Sequence, residues 1–262
     1  MSAGARGLVA GPGALRALRA GRSGTVELAF RRAAYVRLGV GHLLVAERGA
    51  QFGPLSLVVD AAPEVRAGSP ARLEDERLVI DGFALSLERL RERRAPSWPS
   101  SCGDPHAVAD AAARALAGLR PPPASLGPGL VALRRGRLAD AVASLAGRGE
   151  GLTPAGDDVL AGYAAWRAAE GRPVPLAVLA AGRSSPIGLA YLRCAERGEL
   201  PDAAAALLAG IRLGSPGRVD AALPGLRRWG ASSGAALAWG MAAGGGAHSV
   251  VVGPKGASAR GS

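Results

Sequence analysis

The feature that most limits the fold of this chain is a change of hydrophobic period near residue 100. Before it, short apolar stretches read as strands, by period-two alternation in Val26 to Phe30 and by β-branched composition and turn signals in the others. They include Val26-Glu27-Leu28-Ala29-Phe30, Tyr35-Val36-Arg37-Leu38, Leu43-Leu44-Val45-Ala46, Leu55-Ser56-Leu57-Val58-Val59, Ala71-Arg72-Leu73 and Leu78 to Leu85. Gly53-Pro54 marks a turn between two of them. After it, Asp104-Pro105 supplies an N-cap aspartate with proline at the first helical position, and the apolar spacing becomes helical. A chain patterned this way is α+β. We expect an N-terminal half built as a small antiparallel β-sheet, a sandwich-like unit or a partial barrel, followed by a C-terminal helical half.

The expected organisation has four parts. Residues 1–24 form a glycine-rich N-terminal segment with one short helical stretch at Ala14 to Ala20. Residues 25–95 form a β-rich domain, and Ala95 to Ser100 breaks the chain. Residues 104–243 form an α-helical domain with helices over Pro105 to Leu119, Gly129 to Arg135, Arg137 to Leu145, Pro154 to Glu170 and Ser185-Pro186 to Arg197. Further helices run over Pro201 to Ile211, over Pro216 to Leu226 with an interruption at Pro224, and from Ser232 or Ser233 to Ala243. Residues 244–262 are expected to be a disordered tail.

Composition excludes several functional classes. With 48% hydrophobic residues in 262, the chain is long enough for a substantial core. Only 4% are aromatic, so its helices must pack on small side chains. The net charge of +11 is spread evenly: 15 Arg stand against 10 acids in the first hundred residues, and 17 basic residues against 11 acids in the rest. An excess without a patch or basic arm does not describe a nucleic-acid binder. Cys102 and Cys194 are far apart and have no metal-ligand spacing, so neither a disulfide framework nor a zinc site is indicated. His42, His106 and His248 lack partner spacing for a metal or a triad and read as structural or surface residues. The first residues lack the continuous apolar core of a signal peptide. The uncharged run from Trp229 to Pro254 is too rich in Gly, Ala and Ser for a spanning helix. We expect a cytoplasmic protein that does not engage a membrane.

The stretch least expected of ordinary scaffold is Gly149 to Gly162, G-E-G-L-T-P-A-G-D-D-V-L-A-G. Two readings of it stay open. In the first it is a helix start only: Thr153 is the N-cap, Pro154 opens the first turn, and Asp157 and Asp158 complement the positive end of the helix dipole. In the second it is a ligand site. Gly149, Gly151 and Gly156 allow close backbone approach, and helix-start amides suit an anion. Small residues at Ala161, Gly162 and Ala164 let a second helix approach and leave the carboxylates at a crevice. Two aspartates beside an anion need a metal, a ligand N–H or an arginine as partner, and this stretch supplies too few ligands for a metal alone. No cofactor is implied.

Two later helix starts are similar, Arg183-Ser184-Ser185-Pro186 and Ala231-Ser232-Ser233-Gly234. Three such termini can share one pocket for a small anionic ligand. The candidate site is therefore Asp157 and Asp158 as catalytic groups, with Gly151, Thr153, Gly156, Ser184, Ser185, Ser232, Ser233 and Gly234 as substrate-binding residues. Arg183 is the expected nearby cation.

At Gly149 to Gly162 the chain resembles the AllH family, whose signature is similar to G-x-G-L-T-P-S-G-D-D-x-L-x-G. The resemblance continues in Ser184-Ser185 with Leu189 to Gly198, and in Trp229 to Gly240, similar to the family's G-H-S-S-G-x-D-x-L-x-G. Gln51-Phe52-Gly53-Pro54 resembles a turn in the family's N-terminal half, so the likeness spans most of residues 25–245. The chain departs from the pattern at Ala155, where Ser is usual, and at Ala231 and Ala236, where His and Asp are usual. The resemblance implies a subunit of an oxamate carbamoyltransferase of anaerobic allantoin breakdown, which moves a carbamoyl group between oxalurate and phosphate. It also implies other carbamoyltransferase subunits as partners. The alternative is a non-catalytic anion-binding or assembly subunit.

Overall fold

The structure is a computed structural model that describes residues 5–95, 98–99, 101–230 and 232–246. Pro96, Ser97 and Ser100 of the expected break, the pattern departure at Ala231, His248 and the tail from residue 247 lie outside the described residues.

The N-terminal half contains β1 (Ala5–Ala10), α1 (Pro12–Ala20), β2 (Ser23–Phe30), β3 (Ala33–Leu38), β4 (Gly41–Glu47), β5 (Ser56–Val59), β6 (Pro70–Glu74), β7 (Arg77–Ile80), β8 (Phe83–Ser86) and β9 (Arg91–Glu92). Neighbouring strands run in the order β5-β4-β3-β2-β6-β7-β8-β1, and β1 also pairs with β5. The sheet therefore closes into an eight-stranded barrel, with the two-residue β9 added beside β1. The strands-then-helices order is as expected, but the sheet is neither open nor a sandwich.

The correction has a definite origin in β1, which lies in the glycine-rich segment. It pairs parallel with β8 through Ala5 and Arg6, and antiparallel with β5 through Gly7, Val9 and Ala10. One strand thus satisfies two edges that would otherwise be left unpaired. The β4–β5 ladder is parallel as well, so the barrel is mixed. The apolar stretch from Leu78 to Leu85 is two strands. Asp81 and Gly82 both take positive φ, 50° and 81°, as a tight two-residue hairpin turn requires. Val26, Val36, Leu38, Leu43, Val45, Leu57, Leu78, Ile80 and Leu85 fill the interior, and α1 packs Ala14, Ala17 and Leu18 into the same core.

The C-terminal half contains α2 (Pro105–Ala117), α3 (Gly127–Arg134), α4 (Leu138–Leu145), α5 (Ala155–Ala169), α6 (Leu176–Leu179), α7 (Pro186–Glu196), α8 (Asp202–Arg212), α9 (Pro216–Arg228) and α10 (Ser233–Gly244). Asp104 caps α2 as its sequence indicates, its carboxylate accepting from the N–H groups of His106 and Ala107 at 2.9 and 3.2 Å. Two details differ from expectation. The short α6 was not anticipated, and α9 continues through Pro224. Pro224 is solvent-exposed, so water can satisfy the carbonyl that its missing N–H leaves free.

Helix α5 is the centre of this half. Thirteen of its fifteen residues are buried, so it has no solvent face and is wrapped by α4, α7 and α10. Its closest neighbour is α10, and two glycines set the distance. A Cβ on Gly162 would lie 2.0 Å from the Leu237 carbonyl oxygen, and one on Gly240 would lie 1.9 Å from that of Val159. The two backbones touch at both points, and neither point has room for a methyl group.

The halves meet across the outer face of the barrel wall, where Ala33, Tyr35, Leu44 and Ala46 of β3 and β4 alternate with the interior residues and line the cavity between the halves. Arg16 of α1 donates to Glu199 at 2.6 Å, and Arg93 pairs with Asp202. Leu55 packs with Ala190 and Cys194 of α7. Gly53, in the Gly-Pro turn, lies under the Trp229 ring, where a Cβ would come within 2.7 Å of it.

Gly162→Ala and Gly240→Ala should each destabilise the chain by about 1–3 kcal/mol through overpacking. Thermal melts followed by circular dichroism should show a Tm lower by roughly 2–12 °C. Gly217→Ala, where a Cβ meets open space, should leave Tm nearly unchanged.

Candidate functional site

The residues before α5 form a loop whose shape is dictated by glycine. Gly149 and Gly151 have φ of 109° and 100°, a region that L side chains rarely adopt. Gly156 is close for another reason: a Cβ there would lie 1.9 Å from the Leu145 carbonyl oxygen, so the first turn of α5 sits directly on the end of α4. The capping account of this loop does not hold for Thr153. The helix starts one residue later than that account requires, with Pro154 in the capping position and no side-chain cap. The Thr153 hydroxyl instead lies 3.3 Å from the Ser233 hydroxyl at the start of α10.

The two aspartates have separate surroundings because consecutive helical residues point about 100° apart. The Asp157 carboxylate is 2% exposed and faces the protein. Its Oδ1 accepts from the Gly147 N–H at 2.7 Å and from the Ser184 hydroxyl at 2.8 Å. Its Oδ2 is held against the backbone of Gly188, where a Cβ would lie 2.4 Å away. Asp157 thus ties the α4–α5 loop to the start of α7. Burial pushes its pKa up, and the Gly147, Ser184 and Ser185 donors hold it down.

Asp158 faces the other way, into a cavity of about 720 Å³ between the barrel and the helical half. It is 5% exposed, and its Oδ2 is buried without a hydrogen-bond partner. Burial raises its pKa to about 7; the nearby Asp157 charge adds to the rise, and the Ser233 and Thr153 hydroxyls oppose it. At neutral pH this carboxyl divides between acid and base forms, the state most useful for moving a proton.

The candidate residues therefore fall into two groups. Gly151, Thr153, Asp158, Ser232 and Ser233 line the cavity. Asp157, Gly156, Ser184, Ser185 and Gly234 lie behind them. Ser185 caps α7, accepting from the Gly188 N–H at 3.0 Å, and donates its hydroxyl to the Leu152 carbonyl at 2.8 Å, which fixes the loop. Gly234 packs where a Cβ would lie 2.0 Å from the Leu226 carbonyl oxygen. The starts of α5 and α10 converge on the cavity, while that of α7 supports the loop. The early amides of α5 are used internally: the Gly156 N–H donates to the Arg148 carbonyl, and those of Asp157 and Asp158 to Pro154.

Several cavity residues were not singled out by the sequence. Arg228 lines the cavity, whereas Arg183, the expected cation, does not. Trp229, Gln51, Glu150 and Glu199 also line it, as do Tyr35 of β3 and Tyr191 of α7, whose hydroxyls lie 3.1 Å apart. One signal was available: two of the chain's three tyrosines meet here. His42, read as structural, is buried beside Glu27, with Nε2 3.2 Å from its carboxylate. Among the described residues no group of three or more His, Cys, Asp or Glu side chains could hold a metal ion. No helix among them is long and apolar enough to cross a membrane.

Fold and site together define a barrel joined to a helical bundle, with a buried titratable carboxyl on the wall of the cavity between them. The family model described as oxamate carbamoyltransferase subunit AllH matches residues 145–245, so the resemblance to the AllH family is borne out over that stretch, which excludes the barrel, α2 and α3. The matched stretch takes in α5, α7 and α10 with the loops before them, but not the Gln51 to Pro54 turn. No curated protein and no solved structure gives a significant match.

Burial of Asp158 lifts its pKa from 3.8 to about 7, so the folded chain holds a proton that the unfolded chain releases between those values. The stability that this proton contributes is complete below about pH 4 and is lost as pH rises through 7, at roughly 1.4 kcal/mol per pH unit. Asp158→Asn is neutral throughout and removes that slope. Denaturant unfolding from about pH 4 to pH 8 should show the variant gaining stability relative to the parent as pH rises. Parallel profiles would mean that the carboxyl is ionised across the whole range.

Proposed function

We propose that the chain is a subunit of a carbamoyltransferase-type enzyme, binding a small polar substrate in the cavity on which Asp158 lies. The observation that carries this reading is Asp158, a residue of the cavity wall whose buried carboxyl titrates near neutrality and whose Oδ2 has no hydrogen-bond partner in the protein. The description of the matched family supplies the reaction class and makes other subunits the partners.

The chemistry suits such a wall. In carbamoyl transfer from oxalurate, a phosphate oxygen forms a bond to the ureido carbon. The bond from that carbon to the oxamate nitrogen breaks, and the nitrogen takes up the proton that hydrogen phosphate loses. A carboxyl with a pKa of about 7 can accept that proton from one reactant and return it to the other. Arg228 is the cavity cation for the anionic groups. The hydroxyls of Thr153, Ser232 and Ser233 line the same wall and can position the amide. Because the first α5 amides are already bonded internally, anion recognition falls to Arg228, the hydroxyls and the start of α10.

Ala236, where the family pattern has Asp, is buried on α10 and does not line the cavity. Its replacement leaves the Asp158 wall intact, which supports a catalytic subunit over an assembly-only one.

The test is phosphate-dependent formation of carbamoyl phosphate from oxalurate, assayed with the chain alone and with candidate partner subunits. Turnover in the complex is expected, and Asp158→Asn should lower it by about 10²–10⁴-fold while Tm is retained. Asp157→Ala should instead lower Tm, because it strips two part-buried donors, the Gly147 N–H and the Ser184 hydroxyl, of their acceptor. Absence of turnover in every combination would overturn the transferase reading.

A further inference from the structure

The tyrosine pair on the outer face of the barrel wall leaves a hydrogen-bond count that the rest of the site does not close. Tyr35 reaches the cavity from β3 and Tyr191 from α7, and their hydroxyls meet at 3.1 Å. Tyr35 is only 8% exposed. Two hydroxyls own two protons, and the contact between them uses one. Among the described residues neither oxygen has another hydrogen-bond partner in the protein. The second proton therefore points to no protein acceptor and is left for a molecule in the cavity that both tyrosines line.

We propose that the Tyr35–Tyr191 pair is a ligand-contacting donor, which gives its unused proton to a carbonyl or oxyanion oxygen of the molecule bound beside Asp158. This rests on the cavity being the ligand site, as in the proposed function, but not on the reaction being carbamoyl transfer. Burial raises the pKa of both tyrosines, and the neighbouring Asp158 charge raises each further. Both hydroxyls consequently keep their protons at neutral pH, which makes the pair a donor and not a base. When one tyrosine donates to the other, the hydroxyl that accepts is polarised, and its own proton becomes a stronger donor.

The assignment also gives the barrel a role at the site. Tyr35 lies outside residues 145–245, the stretch that carries the family likeness, yet it meets the same cavity. A carbonyl oxygen held between the tyrosine proton on one side and the Thr153 and Ser233 hydroxyls beside Asp158 on the other would be polarised from two sides. If that oxygen gains negative charge during reaction, the pair supplies electrostatic stabilisation without titrating. The ligand class is then a small amide, ureide or acyl phosphate, with an acceptor oxygen for the tyrosines and an N–H or oxygen for Asp158.

The test uses the full chain and direct binding by isothermal titration calorimetry with four probes: oxalurate, oxamate, carbamoyl phosphate and acetamide. Tyr35→Phe, Tyr191→Phe and the double variant keep the rings and remove only hydroxyls, and melting curves verify folding. The double variant should bind the best probe about 3- to 10-fold more weakly than the parent, the loss of one neutral hydrogen bond. If one single variant fails to fold, the other carries the same expectation. Equal affinity in parent and folded variants overturns the proposal, as does a parent that binds none of the four. Binding of acetamide alone, weakened by the variants, keeps the donor assignment and counts against the transferase reading.

Discussion

The contact on which the helical half depends is the one between the backbones of α5 and α10 at Gly162 and Gly240. Each glycine removes the methyl group that would strike the other helix's carbonyl, at Leu237 and Val159 respectively. Dispersion attraction falls steeply with separation, so a contact this close lets a chain with few aromatic residues build a dense interior from Ala and Gly. It also brings the starts of the two helices together. Thr153 and Ser233 come within 3.3 Å of one another for that reason, and Asp158 is held in the angle between them. Packing thereby determines the position of the titratable group.

Asp157 and Asp158 show how adjacent, identical side chains acquire different work. Asp157 accepts from the Gly147 amide and the Ser184 hydroxyl and fastens three segments together. Asp158 keeps one oxygen without a protein partner, and burial leaves it poised between charged and neutral forms. Asp157 also keeps an Oδ2 without a hydrogen-bond partner, but that oxygen is shut against the Gly188 backbone, whereas Asp158, with the Thr153 and Ser233 hydroxyls beside it, lines the cavity. The helical turn alone separates the two.

Much of the helical half was legible because its punctuation is local. Asp104-Pro105 and Ser185-Pro186 announce helix starts, and Gly171 and Gly198 follow helix ends in left-handed conformation. The barrel was less legible. Nothing within Ala5 to Ala10 says that both its neighbours lie some fifty to eighty residues away, and Asp81-Gly82 was passed over as a hairpin turn. At the site, the small residues of α5 correctly implied a close helix. The sequence could not say which aspartate would face the cavity, since that depends on where α7 and α10 dock. Thr153 has the chemistry of a cap, yet α5 begins one residue too late for it to act as one. Tyr35 and Arg228 carry no local pattern and reach the cavity only through tertiary packing.

The double pairing of β1 has a consequence for how the chain is made. This strand is synthesised before the partners on its two sides, β5 and β8, which follow only at residues 56–59 and 83–86. The barrel cannot close until the last of them has emerged, so the earliest strand waits longest for its ladders. During that interval the strand edges that β1 will cover remain bare and open to pairing with other chains. Loss of β1 would prolong that state indefinitely, exposing two edges at once on opposite sides of the seam. Six residues near the start of the chain therefore govern whether the barrel is a closed surface or an aggregation template.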